Sequence, residues 1–230
     1  MFKFPSTTYV HKELKVQDIF KRMGVDPAFK RQCSGIKSIL LENVLNPKRM
    51  NIASKELKEL YVFLVLTDTE IPNEFFQKLD RLINPSIQTL YCIQSGTVIR
   101  YVTAFRHKGG GNLSLARYIK TDWMTQPRDE EIPVVDSLDG IYLLILSSFN
   151  KYPAFQSESI SEYCSRIARL DELDSSIEKQ QKLVDNEVQS KKRIEFNAKL
   201  KLLKKERDEL LNERRQEYGK IAQNVAEYSR

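Results

Sequence analysis

Histidine is almost absent from this chain: His11 and His107 are the only two in 230 residues. Histidine-rich zinc sites and Ser-His-Asp chemistry therefore lack their material. Cysteine is nearly as sparse. Cys33, Cys92 and Cys164 are odd in number, widely spaced and free of any CxxC pair. They read as reduced thiols of a cytoplasmic protein, not as a disulfide frame. Long apolar runs are also missing. The longest, near Tyr61–Leu66 and Ile141–Leu146, fall far short of the roughly 20 residues that span a bilayer. The N-terminal MFKFPSTTYVHKELK lacks the apolar stretch of a secretory signal, so the expectation is a cytoplasmic protein without membrane contact. Proline disappears after Pro153, and beyond it glycine is reduced to Gly219.

That last absence is the most informative. A breaker-free stretch from Glu158 to Arg230, dense in Lys, Glu, Arg and Leu, reads as one or two long helices. Helices of that length outrun a compact core, so they must pair with each other, a second copy or a partner protein. Two apolar stripes run along them. Ile160, Tyr163, Ile167, Leu170, Leu173, Ile177, Val184 and Val188 form the first, and Phe196, Leu200, Leu203 and Leu210 the second. The stripes are out of phase across Asp185–Arg193, which fits either a stuttering coiled coil or a helical hairpin. Both stripes are candidate partner-binding surface, and Tyr218, Ile221 and Val225 suggest further packing at the end.

The first 150 or so residues read differently. Lys12–Met23 fits a short helix stopped by Gly24, and Ile36–Val44 a strand closed by Asn46-Pro47. Leu60–Thr67 (LYVFLVLT) is nearly continuous in apolar character, as a central strand would be. Ile71-Pro72 opens a helix whose apolar side is Phe75, Phe76, Leu79 and Leu82. Thr89–Gln94 and Thr97–His107 flank a Ser95-Gly96 hairpin turn, with Ile99, Tyr101 and Phe105 on one face and Arg100 and Arg106 on the other. A strand over Leu113–Trp123 and a helix over Leu138–Lys151 follow. The expected fold is α+β: a mixed α/β domain with a central sheet over 1–155, then an extended helical arm over 156–230.

The net charge of +6 is unevenly placed. Residues 1–50 carry ten Lys/Arg against four Asp/Glu. In the arm, Lys191, Lys192, Arg193, Lys199, Lys201, Lys204, Lys205 and Arg207 stand against Glu195 and Glu206. Two basic zones point toward a polyanionic partner such as nucleic acid; a solvated helical surface is the commoner cause. At about 100° per residue the eight arm cations spread around the helix instead of forming one stripe. Asn197, beside the second stripe, could set register by hydrogen bonding or simply face solvent.

Other constellations are thin. Gly109-Gly110-Gly111 lacks the Gly-Lys-Ser/Thr helix start of a phosphate loop and reads as a turn. Cys92, in an apolar strand, reads as a small hydrophobe. A metal-dependent nuclease would need converging acids and a lysine, for which Glu42, Glu56 and Lys58 supply the raw order. The Asp129-Glu130-Glu131 cluster with Asp136 and Asp139 matches no calcium loop and reads as exposed. No cofactor is called for.

Taken in order, Phe4-Pro5, the basic Lys12–Lys15 before Ile19-Phe20, Asn51-Ile52, Glu59, Leu79-Asp80, Ile83-Asn84-Pro85, Leu90-Tyr91, Tyr101 and Phe196-Asn197 resemble a prokaryotic family, domain of unknown function 4391. The chain departs from that pattern at its three glycines and after Asn197, where Leu202-Leu203 stand in place of a second Asn. The resemblance implies an accessory role in DNA processing or phage defence, beside restriction-like helicases and methyltransferases, and no defined chemistry. The function expected is a non-catalytic interaction subunit docking through its C-terminal helices. The alternatives are nonspecific nucleic-acid binding and the Glu42/Glu56/Lys58 nuclease.

Overall fold

Local pattern becomes architecture through one mixed sheet. The computed structural model describes residues 2–84, 87–109, 112–125, 135–155 and 158–228, with the backbone alone for 105–109, 112–116 and 213–228. The chain divides into two units, 1–154 with 159–161, and 155–158 with 162–230.

The first unit holds six strands in sequential order: β1 (Tyr9–Leu14), β2 (Ile36–Leu45), β3 (Leu60–Thr67), β4 (Gln88–Ser95), β5 (Val98–Gly109) and β6 (Asn112–Lys120). All neighbours are antiparallel except β3 and β4, which run parallel. A parallel pair needs a crossover, and α4 (Asn73–Ile83) provides it. The apolar run of β3 thus occupies the centre, as its composition predicts. Helices α1 (Val16–Met23), α2 (Pro27–Gln32) and α4 bring Ile19, Phe20, Phe29, Phe75, Phe76 and Leu79 onto one sheet face, against Ile39, Phe63, Val65, Tyr91 and Val102. Helix α5 (Leu138–Ser148) covers the other, where Tyr142 donates to the Ala104 carbonyl at 2.7 Å and bonds Thr103 at 3.1 Å and Gln88. A short α3 (Pro47–Met50), capped by Asn46, follows β2.

Four expectations change. The helix expected over Lys12–Met23 begins only at Val16, because Lys12–Leu14 pair with Ile39–Leu41 as part of edge strand β1. Cross-strand hydrogen bonds, not local pattern, decide that segment. The hairpin turn is Gly96-Thr97, one residue later than expected, since Ser95 pairs with Val98; Gly96 supplies φ +56°. Leu82, expected in the apolar side of α4, is 36% exposed. Gly24 ends α1 at φ +61° as the sequence implies. Arg100 avoids the wet face expected for it by pairing with Glu70 at 2.7 Å and lying 4.4 Å from the Trp123 ring. The Asp129–Glu131 cluster and Gly110-Gly111 lie outside the described residues.

In the second unit α6 (Ile160–Asn186) and α7 (Ser190–Tyr228) carry the breaker-free tail; α6 begins with two residues that belong to the first unit. No described helix is long and apolar enough to cross a membrane.

Candidate interaction surface

The phase break between the two stripes is a turn. Helices α6 and α7 fold back on each other across residues 187–189. Arg169 pairs with Glu206, Arg207 lies 4.0 Å from Asp174, and Gln180 donates to the Phe196 carbonyl at 3.1 Å. The early part of α6 thus meets Glu206 and Arg207, and its later part meets Phe196, nearer the turn, the mark of an antiparallel hairpin. Gln180, Val184 and Leu200 are buried, while Ile177, Phe196, Leu203 and Leu210 are half-buried. Ile160, Tyr163, Ile167 and Leu170 are buried as well. The stripe residues expected to face a partner are therefore largely covered within the chain itself. Val188 belongs to no stripe; it sits in the turn, 91% exposed. The side chains of Tyr218, Ile221 and Val225 lie outside the described residues.

The start of the second unit is pinned by charge. Arg166 donates to Glu158 through Nε at 2.7 Å and Nη2 at 2.8 Å, and both side chains are buried. The guanidinium lies 3.8 Å from the Phe155 ring centroid, and Phe155 N donates to Glu158 at 2.9 Å. This two-pronged geometry satisfies both charges, which is what makes an ion pair tolerable away from water.

What the hairpin exposes is a different set. Leu183, Val188, Ile194 and Leu202 are 50%, 91%, 69% and 67% exposed. Among the described residues only Tyr9, Leu82 and Leu144 are large exposed hydrophobics elsewhere. Leu183 precedes the turn, Val188 lies in it and Ile194 follows it, so three of the four gather at the hairpin's tip. Ile194 stands two positions from Phe196, roughly 200° around the helix and so away from the seam. In the sequence Ile194 is an apolar residue out of phase with either stripe.

Cations surround the tip. Lys191, Lys192, Arg193, Lys199 and Lys201 are exposed, and among the described residues none pairs with an acid. Lys205 pairs with Glu209 at 3.5 Å, Lys204 bonds Gln181 at 3.4 Å, and Arg207 is engaged by Asp174 and by Asp208 at 2.9 Å.

Three candidate carboxylates of the first unit, Glu42, Glu56 and Asp139, have structural partners. Glu42 is buried in β2, with His11 Nδ1 3.2 Å from both its oxygens. His11 reaches it from a left-handed backbone, φ +46°, where β1 slips register, and Tyr9 stacks on its ring. Glu56 instead accepts from Ile160 N at 3.1 Å and from Ser161 Oγ at 2.7 Å, satisfying amides at the start of α6. Lys58 is exposed. Asp139, expected in an open acidic loop, accepts from Lys55 N, Glu56 N and Leu57 N at 2.6, 3.0 and 2.8 Å. Its carboxylate thus fixes the loop that carries Glu56. Among the described residues no group of three or more His, Cys, Asp or Glu could hold a metal. Burial pushes the Cys92 thiol up to about 12 and Cys33 up to about 11, away from thiolate chemistry. The side chain of His107 lies outside the described residues.

A family model described as domain of unknown function 4391 matches residues 2–206. No curated protein and no solved structure matches the chain.

Proposed function

The chain belongs to the domain of unknown function 4391 family, and from that premise we propose that it is a non-catalytic subunit that docks into a larger assembly through the tip of its α6–α7 hairpin. The observation that carries this reading is the cluster of Leu183, Val188 and Ile194, exposed at the end of a hairpin whose seam is otherwise filled. Apolar side chains held out at a helical turn gain by being covered, at about 25 cal/mol for each Å² removed from water. The surrounding lysines supply the polar rim of an interface whose apolar centre is small. The family resemblance extends the proposal to a cytoplasmic assembly acting on DNA, of the restriction-like defence kind. The three cysteines, all buried and none in a disulfide, suit a reducing compartment.

The test compares wild type with the Val188→Asp/Ile194→Asp double variant. Both positions are exposed, so the substitutions should leave thermal stability within about 0.5 kcal/mol. Wild type should show a mass above the monomer by light scattering, or retain a defined set of proteins from a lysate of its source. The variant should lose that property while keeping its circular dichroism. A wild type that is monomeric and retains nothing, or a variant that behaves like wild type, ends the proposal.

A further inference from the structure

In the first 50 residues the acids are partly committed, while six of the ten bases make no ion pair among the described residues. Of four carboxylates there, Glu42 is held by His11, and Asp26 caps α2 by accepting from Phe29 N at 2.8 Å. Glu13 and Asp18 remain. Against these two, Lys12, Lys15, Lys21, Arg22, Lys30 and Arg31 are all exposed, and none makes an ion pair among the described residues. Lys37 differs, being paired with Asp68 at 2.7 Å. Lys15 immediately precedes α1 and Arg22 lies in its last turn, so cations stand at both ends of the helix.

The surface around them is concave. A trough of about 470 Å³ opens between α1 and α4, lined by Lys12, Lys15 and Arg22, by the acids Glu13 and Asp18, and by apolar residues such as Leu41 and Phe63. A second, of about 580 Å³, lies between α1 and α2, where Lys15, Lys30 and Lys37 stand with the same two acids. In the first trough three cations stand against two acids, and apolar walls concentrate the net positive field over it.

We propose that this α1–α2 face binds the phosphodiester backbone of duplex nucleic acid, with Lys12, Lys15, Arg22 and Lys30 as phosphate contacts. The spread of the cations selects the ligand. They flank both sides of a helix of eight residues, about 12 Å long, farther than one free phosphate can reach. A duplex presents a charge every ~1.7 Å of its axis and matches that spread. Contacts of this kind fix position without reading bases, so binding is sequence-independent. The α1–α2 face belongs to the first unit and the hairpin tip to the second, and either proposal can fail alone.

Fluorescence anisotropy with a labelled duplex of about 20 base pairs, in the full chain from ~50 to ~200 mM KCl, decides it. Log K should fall linearly with log salt. The set Lys12→Gln, Lys15→Gln, Arg22→Gln, Lys30→Gln should flatten the slope by about 3 to 4, at ~0.9 per contact. The pair Glu13→Gln, Asp18→Asn should tighten binding, a gain that misfolding cannot produce. Absence of binding at ~50 mM salt overturns the proposal. So does an unchanged slope in the fourfold set, or a loss of slope confined to Lys191→Gln, Lys192→Gln, Lys199→Gln and Lys201→Gln. Should the fourfold set melt early, the acid pair decides: tighter binding supports the face, unchanged binding removes it.

Discussion

Asp80 accepts three hydroxyl donors in the core of the first unit, from Thr89 at 2.8 Å and from Tyr91 and Tyr118 at 2.5 Å each. Only 4% of the residue is exposed, so the hydroxyls stand in for the water that the carboxylate has lost. Thr89 continues the network through its carbonyl, which accepts from Thr103 at 2.7 Å, and Thr103 in turn meets Tyr142. Replacing Asp80 by Leu strands three buried hydroxyls and should cost about 3 kcal/mol or more, read from urea unfolding at constant m. Burial, and then the Asp80 charge, hold Tyr91 well above its ordinary value of 10. A phenol whose folded pKa exceeds its unfolded one contributes stability that is present below pH 10 and lost as pH rises above it. Tyrosinate absorbance should accordingly show Tyr91 ionising only with alkaline unfolding; a folded protein in which all ten tyrosines titrate together near pH 10 would contradict this. In the sequence Asp80 is one acid beside an apolar stripe. Its donors come from two other strands, so no local pattern announces it.

Elements meet with little tolerance at the start of β2. A Cβ added to Gly35 would lie 2.2 Å from Thr69 Oγ1 and 2.9 Å from Thr69 Cβ, and the Gly35 carbonyl accepts from Asp68 N at 3.0 Å. The glycine lets the entry to β2 and the exit of β3 approach each other. Gly35→Ala should therefore destabilise by about 1–3 kcal/mol, as overpacking does. Thr69→Gly should recover part of that loss in a double-mutant cycle, because it removes the obstructing atoms. Equal melting of wild type and Gly35→Ala would mean that the contact yields freely. Strands β2 and β3 and helix α4 were legible because each carries its own period and its own stop signal. Strand β1 was not. Its residues are mostly exposed, and an edge strand that buries little leaves little apolar alternation to find.

At the scale of the molecule, the first unit holds every strand and the helices α1–α5, together with the two residues of α6 whose amides bond Glu56. A fragment of residues 1–161 should fold by itself and melt cooperatively, since its core side chains come from within it. A fragment without a thermal transition would show that the helical hairpin completes the core. Composition and period alone determined the α+β class, the central place of Leu60–Thr67 and the breaker-free helices, because propensity, apolar spacing and chain punctuation act over a few residues. The tertiary structure decided the hairpin over one long helix, the covering of Tyr163, Ile167 and Leu170, and the exposure of Val188 and Ile194. It also decided which charges are spent. Asp139 finds its amides 82 to 84 positions away, Glu56 reaches Ile160 across 104 and Glu42 meets His11 across 31. Which carboxylates are neutralised, and so which lysines stay free, depends on distances that chain folding sets and that sequence order does not encode.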